Sequence, residues 1–271
     1  MNRGLLMRAL RESWPATLVL ALVLAVVEAA LAFVLPRFGS QLPAQWLQMG
    51  MIRGLLQAML GTRIADQLGP EMFHSIAWVD PLPLALMWAH AMMSCTRVPA
   101  GEVDRGTVDV ILGLPVSRWE LFVCETVVWL GCAAVLLLAA LAGNLLGSLG
   151  LPVHDRPHVG KLLIVLLNVF CLYCTIGGLA WLASSLSERR GRALTTLFLI
   201  ILTLFLLNYL AEFWRPLERI VFLSPLHYHR PVEILVAGAW PWCDLLVLLG
   251  AGSVMWATAG VIFSRRDLAT T

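Results

Sequence analysis

Six stretches of this chain, at about 16–35, 76–96, 121–148, 162–186, 193–210 and 242–263, are apolar over lengths near or above the roughly 20 helical residues that cross about 30 Å of hydrocarbon. The runs are continuous, without the alternation of barrel strands, and a bilayer leaves each backbone N–H and C=O to be satisfied within its own segment, so helices are expected. The second run carries Asp80, Pro81, Pro83 and His90, with both prolines near one end, where a helix start tolerates them. The expected fold class is an all-α polytopic membrane protein. Residues 1–271 form one transmembrane domain of six spans, with an N-terminal amphipathic interfacial helix and short outer re-entrant or interfacial helices.

Composition agrees. The chain is 59% hydrophobic and only 13% charged, against about 45 to 50% and about 25% in soluble domains. That is too little charge for the water-facing surface of a soluble enzyme, and too much apolar chain for disorder. A net charge of +2 gives no basis for a nucleic-acid partner. Five of the six cysteines lie in or beside apolar runs, and Cys171 and Cys174 read as small hydrophobes on one helix face rather than a redox or metal pair.

The flanks orient the chain. Residues 3–12 set Leu5, Leu6, Ala9 and Leu10 against Arg3, Arg8 and Arg11, a pattern that suits an interfacial helix bent into the first span at Trp14 and Pro15. The first run is longer than the core of a cleavable signal and reads as a retained anchor. Of the 19 Lys and Arg residues, 11 fall in the N-terminus, 97–120, 187–192 and the tail, which together hold about 53 residues. This density places both termini in the cytoplasm of a cell carrying the protein in its inner membrane. On the outer side, residues 36–75 contain a surface-lying helix around Trp46 to Leu60, and 211–241 hold pieces too short to span.

Little of the chain carries recognisable chemistry. Lys161, in Gly160-Lys161-Leu162, is the sole lysine and lacks the upstream Gly and the following Ser/Thr of a phosphate cradle, and HExxH and G-x-S-x-G are absent. His227 and His229, two residues apart with no carboxylate or cysteine pair nearby, make a weak metal motif. Ionisable groups inside spans are costly and are functional candidates by default. Glu28 lies near the middle of span one and His90 in the inner half of span two, at depths about 8 Å apart. Each can line a translocation path or make an interhelical hydrogen bond. Asn144, Asn168 and Asn208 read as interhelical contacts, and Gly143-x-x-x-Gly147 as a close helix approach within or between subunits.

The most informative segment is 98–120. It holds Glu102, Arg105, Gly106, Thr107, Ile111, Leu112, Pro115, Ser117 and Arg118, with Val108, Ile111 and Leu112 on one side of a short amphipathic helix and Glu102, Arg105 and Asp109 on another. The order Glu, Gly-Thr, two apolar residues, Pro-x-Ser-Arg resembles the loop after the second span in ABC-2 type permeases, the membrane subunits of ATP-binding cassette transporters. Ser224-Pro225-Leu226-His227-Tyr228 ahead of Pro231 and the Arg265-Arg266-Asp267 tail extend the resemblance. Glu125 departs from it, because similar permeases often carry Lys there.

The resemblance implies an exporter subunit that binds no cofactor itself. A cytoplasmic ATPase subunit would hold ATP and Mg²⁺, a second permease copy or paralogue would complete the membrane part, and residues Glu102 to Arg118 would couple the two. Membrane lipid is the remaining partner. Drug, lipid, peptide and polysaccharide substrates all suit such a bundle. Two alternatives stay open on the residues: a membrane-embedded enzyme acting on lipid or peptide through Glu28, Asp80, His90 or the 227–229 histidines, and a proton-coupled secondary transporter using Glu28.

Overall fold

A computed structural model describes residues 3–41, 70–104, 117–211, 213–238 and 240–265, which contain helices and no strand. In chain order the main helices are α1 (Arg3–Gln41), α2 (Pro70–Val79), α3 (Pro81–Cys95), α4 (Arg118–Ser148), α5 (Val159–Leu186), α6 (Arg190–Ala211), α7 (Pro231–Ala237) and α8 (Trp242–Arg265). Helices α1, α4, α5, α6 and α8 are long and apolar enough to cross a membrane.

The second expected span, 76–96, is two helices. Asp80 leaves helical backbone (φ −54, ψ 132) and accepts a hydrogen bond from Leu82 N at 2.9 Å, an N-cap that starts α3 afresh. Pro81 and Pro83 occupy the first turn, where a missing N–H leaves no hydrogen bond unmade. At 15 residues, α3 reaches only about 22 Å.

The N-terminal segment also departs from expectation. It is no separate interfacial helix but the opening turns of α1, which passes through Pro15 as one 39-residue helix. The apolar face that hydropathy assigns to lipid is covered by protein: Leu6, Ala9 and Leu10 pack on Val128 and Cys132 of α4.

Helices α1 and α4 run parallel. Ala9 faces Val128 and Cys132 at one end, and Arg37 Nη2 donates to Gly150 O at 2.7 Å at the other. Between them, a Cβ on Gly143 or Gly147 would fall on the backbone carbonyls of Ala25 and Ala29, so this approach needs glycine at both positions. The Gly-x-x-x-Gly motif therefore packs within one chain. Helices α5 and α8 form a second parallel pair, with Gly178 against Gly252 and Thr175 Oγ1 donating to Leu248 O at 2.8 Å. An aromatic cluster joins the pairs: buried Phe122 of α4 meets Trp181 of α5 edge-on at 4.7 Å and lies 5.5 Å and 6.2 Å from Trp256 and Phe263 of α8.

Helix α6 is the least enclosed. It buries Leu197 and Ile201 but exposes Phe198, Leu199, Leu202, Leu206 and Leu210. Beyond it, short turns lead to α7, which ends at Gly238 in the left-handed region (φ 65). None of these pieces is long enough to span. The surface helix expected around Trp46 to Leu60, and the Arg266-Asp267 end of the tail, lie outside the described residues.

Candidate functional site

At one end of the bundle α1, α4 and α6 begin and α3, α5 and α8 finish. The chain leaves α3 at Thr96 through a turn, Arg97–Gly101, in which Val98 is extended (φ −125, ψ 132), and enters a single helical turn, Glu102–Asp104. The kink directs Arg97 into the bundle, where it is 8% exposed. Its Nη1 donates to Glu12 Oε2 at 3.0 Å and to Ala9 O at 3.2 Å, and its Nη2 donates to Glu125. The other oxygen of Glu12 accepts from Arg8 Nε at 2.9 Å. Arg8 Nη2 in turn donates to Glu102 Oε1 at 2.8 Å, and Glu102 is only 2% exposed.

Two further helices close on the same turn. Ser184 Oγ, near the end of α5, accepts from Ala100 N at 3.3 Å. Arg190, at the start of α6, donates to Met93 O at 3.0 Å and sits 3.5 Å from Thr96 Oγ1. Residues 97–102 are therefore fastened to α1, α4 and α5, and Arg190 of α6 holds the end of α3 that leads into them. Charges this enclosed persist only when paired, because removing one partner strands the other in a poor solvent.

The residues expected to couple this chain to a partner divide three ways. Glu102 is buried in the network rather than turned to water. Arg105, Gly106, Thr107, Ile111, Leu112 and Pro115 lie outside the described residues. Ser117 and Arg118 open α4: Ser117 is its N-cap, accepting from Glu120 N at 3.0 Å, so the last residues of the 98–120 segment already belong to helix. Glu125, the departure from the family pattern, is the partner of Arg97. Sequence reasoning missed Arg8, Glu12, Arg97, Ser184 and Arg190 as members of this site. Only Arg97 and Glu125 left a signal, as opposite charges each beside an apolar run.

Residues 7–268 match the profile of a family described as ABC-2 family transporter protein. The chain belongs to the ABC-2 transporter family. No curated protein gives a significant match. The protein is thus a multi-pass membrane permease component of an ATP-binding cassette transporter, from a family of permeases that works with an ATPase subunit.

In this ABC-2 permease the intramembrane ionisable residues are engaged separately. Glu28 is 1% exposed and accepts from Asn144 Nδ2 at 3.2 Å, beside the Gly143 and Gly147 contact. His90 has Tyr173 Oη 2.7 Å from Nδ1 and Thr17 Oγ1 3.0 Å from Nε2. Thr17 spends its own proton on Ser13 O at 2.9 Å, so the ring donates from Nε2 and accepts from Tyr173 at Nδ1. His90 also lines a half-open cleft of about 280 Å³ between α1, α3 and the start of α6. Asp80, raised as a possible enzymatic acid, caps α3.

At the opposite end, His229 is buried with Nδ1 2.7 Å from Asn168 Oδ1 and Nε2 2.9 Å from Trp78 O. Burial pulls this imidazole down to about 4. His227 instead lies 3.4 Å from Arg230 Nη2, its proton affinity lowered by partial burial and then by that guanidinium. Among the described residues no three His, Cys, Asp or Glu side chains gather as a metal site.

Proposed function

We propose that this permease is the membrane half of an exporter driven by a separate cytoplasmic ATPase that holds ATP and Mg²⁺, and that a second permease copy or paralogue completes it. Both termini and the residue 97–120 connection face the cytoplasm of the inner membrane, as the Lys and Arg distribution favours. The observation that carries the reading is the fastening of residues 97–102 to α1, α4 and α5 at that end, beside the end of α3 that Arg190 of α6 holds.

ATP binding closes the ATPase pair against the 102–118 segment. Displacement of Glu102 passes to Arg8 and so to α1, and displacement of Arg97 passes to Glu125 and so to α4. The bundle then exchanges inward for outward access, which requires that ATP and substrate each bind the two states with different affinity. The cleft beside His90 is the inward opening, and His90 and Glu28 are candidates for its continuation.

The test is co-reconstitution with the ATPase captured by cross-linking from native membranes. Glu102→Arg and Gly106→Trp are expected to leave the protein in the membrane and the ATPase bound, while transport per ATP falls at least about tenfold. Normal coupling in both variants would overturn the reading.

A further inference from the structure

The cleft has properties that the coupling network does not use. Its α1 wall, Glu12, Ser13 and Ala16, lies at the level of Trp14, which is 41% exposed at the start of the apolar part of α1, where indole rings mark the headgroup level. Ser13, His90, Ser94, Arg97 and Arg190 contribute to its wall, and Met93, 45% exposed, adds an apolar side. Arg97 is more than nine-tenths buried, yet its Nε has no hydrogen-bond partner. A buried guanidinium N–H left unmatched is costly, and because Arg97 lines the cleft, an acceptor that reaches this N–H from there would remove that cost.

The charge balance narrows the choice of ligand. Glu12 shares the wall, but its two oxygens are held by Arg8 and Arg97. Around the cleft the arginines at 8, 97 and 190 are offset by the glutamates at 12, 102 and 125, so a compact dianion meets no large excess of positive charge. A group with one negative charge spread over several oxygens suits guanidinium and hydroxyl donors better.

We infer that the cleft binds the phosphodiester headgroup of a membrane amphiphile drawn from the leaflet at that end of the bundle. The phosphate oxygens meet the Arg97 and Arg190 guanidinium groups with the Ser94 hydroxyl alongside, Ser13, whose hydroxyl donates to Ala9 O at 2.9 Å, forms the facing wall, and the apolar tails leave past Met93. The inference deepens the permease reading by naming what enters the inward opening. Its test needs no ATPase, so its failure is separable from failure of the coupling experiment.

Binding to the purified full chain in a non-ionic detergent is measured by tryptophan fluorescence with dioctanoyl phosphatidylglycerol, dioctanoylglycerol and inorganic phosphate as probes. Phosphatidylglycerol is expected to bind saturably, with affinity reduced about tenfold or more in Ser13→Asp and Arg190→Gln and unchanged in Arg215→Gln, an exposed position at the other end. Ser94→Asp replaces Ser13→Asp if the latter fails to fold. Unaltered binding in the cleft variants, or equal binding of dioctanoylglycerol, would overturn the site. Inorganic phosphate binding as tightly as the amphiphile would assign the site to a soluble anion and overturn the membrane source.

Discussion

Arg8 and Glu102, 94 positions apart, meet at 2.8 Å and tie the first helix to the helical turn that follows α3. The carboxylate is buried and the guanidinium partly exposed. Arg8→Glu sets two carboxylates against each other and is expected to cut transport per ATP several-fold, with a modest destabilisation of about 1–2 kcal/mol. The charge swap Arg8→Glu with Glu102→Arg should recover part of the coupling. Transport and ATP hydrolysis measured in the same proteoliposomes give the ratio, and equal loss in the single and swapped variants would count against a role for the pair.

Arg97 and Glu125 are enclosed more deeply. Arg97→Met leaves Glu125 without its main partner and should lower stability by about 3–5 kcal/mol, visible as loss of a monodisperse peak in size-exclusion chromatography. The double variant Arg97→Met, Glu125→Met should recover much of that loss, because two apolar residues replace two desolvated charges. Glu12 remains in the double variant, so recovery will be incomplete.

The closeness of α1 and α4 sets a steric prediction. Gly143→Leu or Gly147→Leu forces side-chain atoms into the Ala25 or Ala29 carbonyl and should cost about 3 kcal/mol or more. Gly131→Leu, on the same helix but with open space around its Cβ direction, should be tolerated. Thermal unfolding of the three purified variants decides it.

Glu28 separates two roles by substitution. Its contact to Asn144 is a hydrogen bond between helices, which Glu28→Gln can retain and Glu28→Ala cannot. Glu28→Gln is expected to keep normal abundance and transport, and Glu28→Ala to lose about 1–3 kcal/mol of stability. Loss of transport in a stable Glu28→Gln protein would instead mark the carboxyl as part of the path.

His229 gives a pH dependence. Its folded-state value of about 4 lies below the roughly 6.5 of an unfolded chain, so between those values the unfolded state binds the extra proton. Stability from this group is full above pH about 6.5 and is lost as pH falls towards 4, by about 3 kcal/mol in all. Unfolding midpoints measured from pH 4 to 8 should show this slope, and His229→Gln should flatten it.

Hydropathy reported the long helices well because apolar length is what a bilayer demands. It could not say whether lipid or protein covers an apolar face, which is why Leu6, Ala9 and Leu10 read as interfacial when they pack on α4. The Asp80-Pro81-x-Pro83 sequence did contain the N-cap that divides the second span, but a continuous apolar window conceals it. Gly143 and Gly147 were legible as a close approach, though their partner was not. The charge network was the least legible part. Its members come from α1, the turn after α3 and α4, and no local pattern relates Arg8 to Glu102 or Glu12 to Arg97.

The pairing of parallel helices limits how this bundle can change shape. Carbonyls of α1 are lodged against the glycines of α4, and α5 meets α8 backbone to backbone, so neither pair can splay or slide without opening voids along several turns. The inexpensive motion is of one pair against the other, like two planks turning on the rings of Phe122, Trp181, Trp256 and Phe263. Tilted and edge-on rings exchange contact with little loss when they shift, which suits that aromatic seam to act as a pivot between the two pairs.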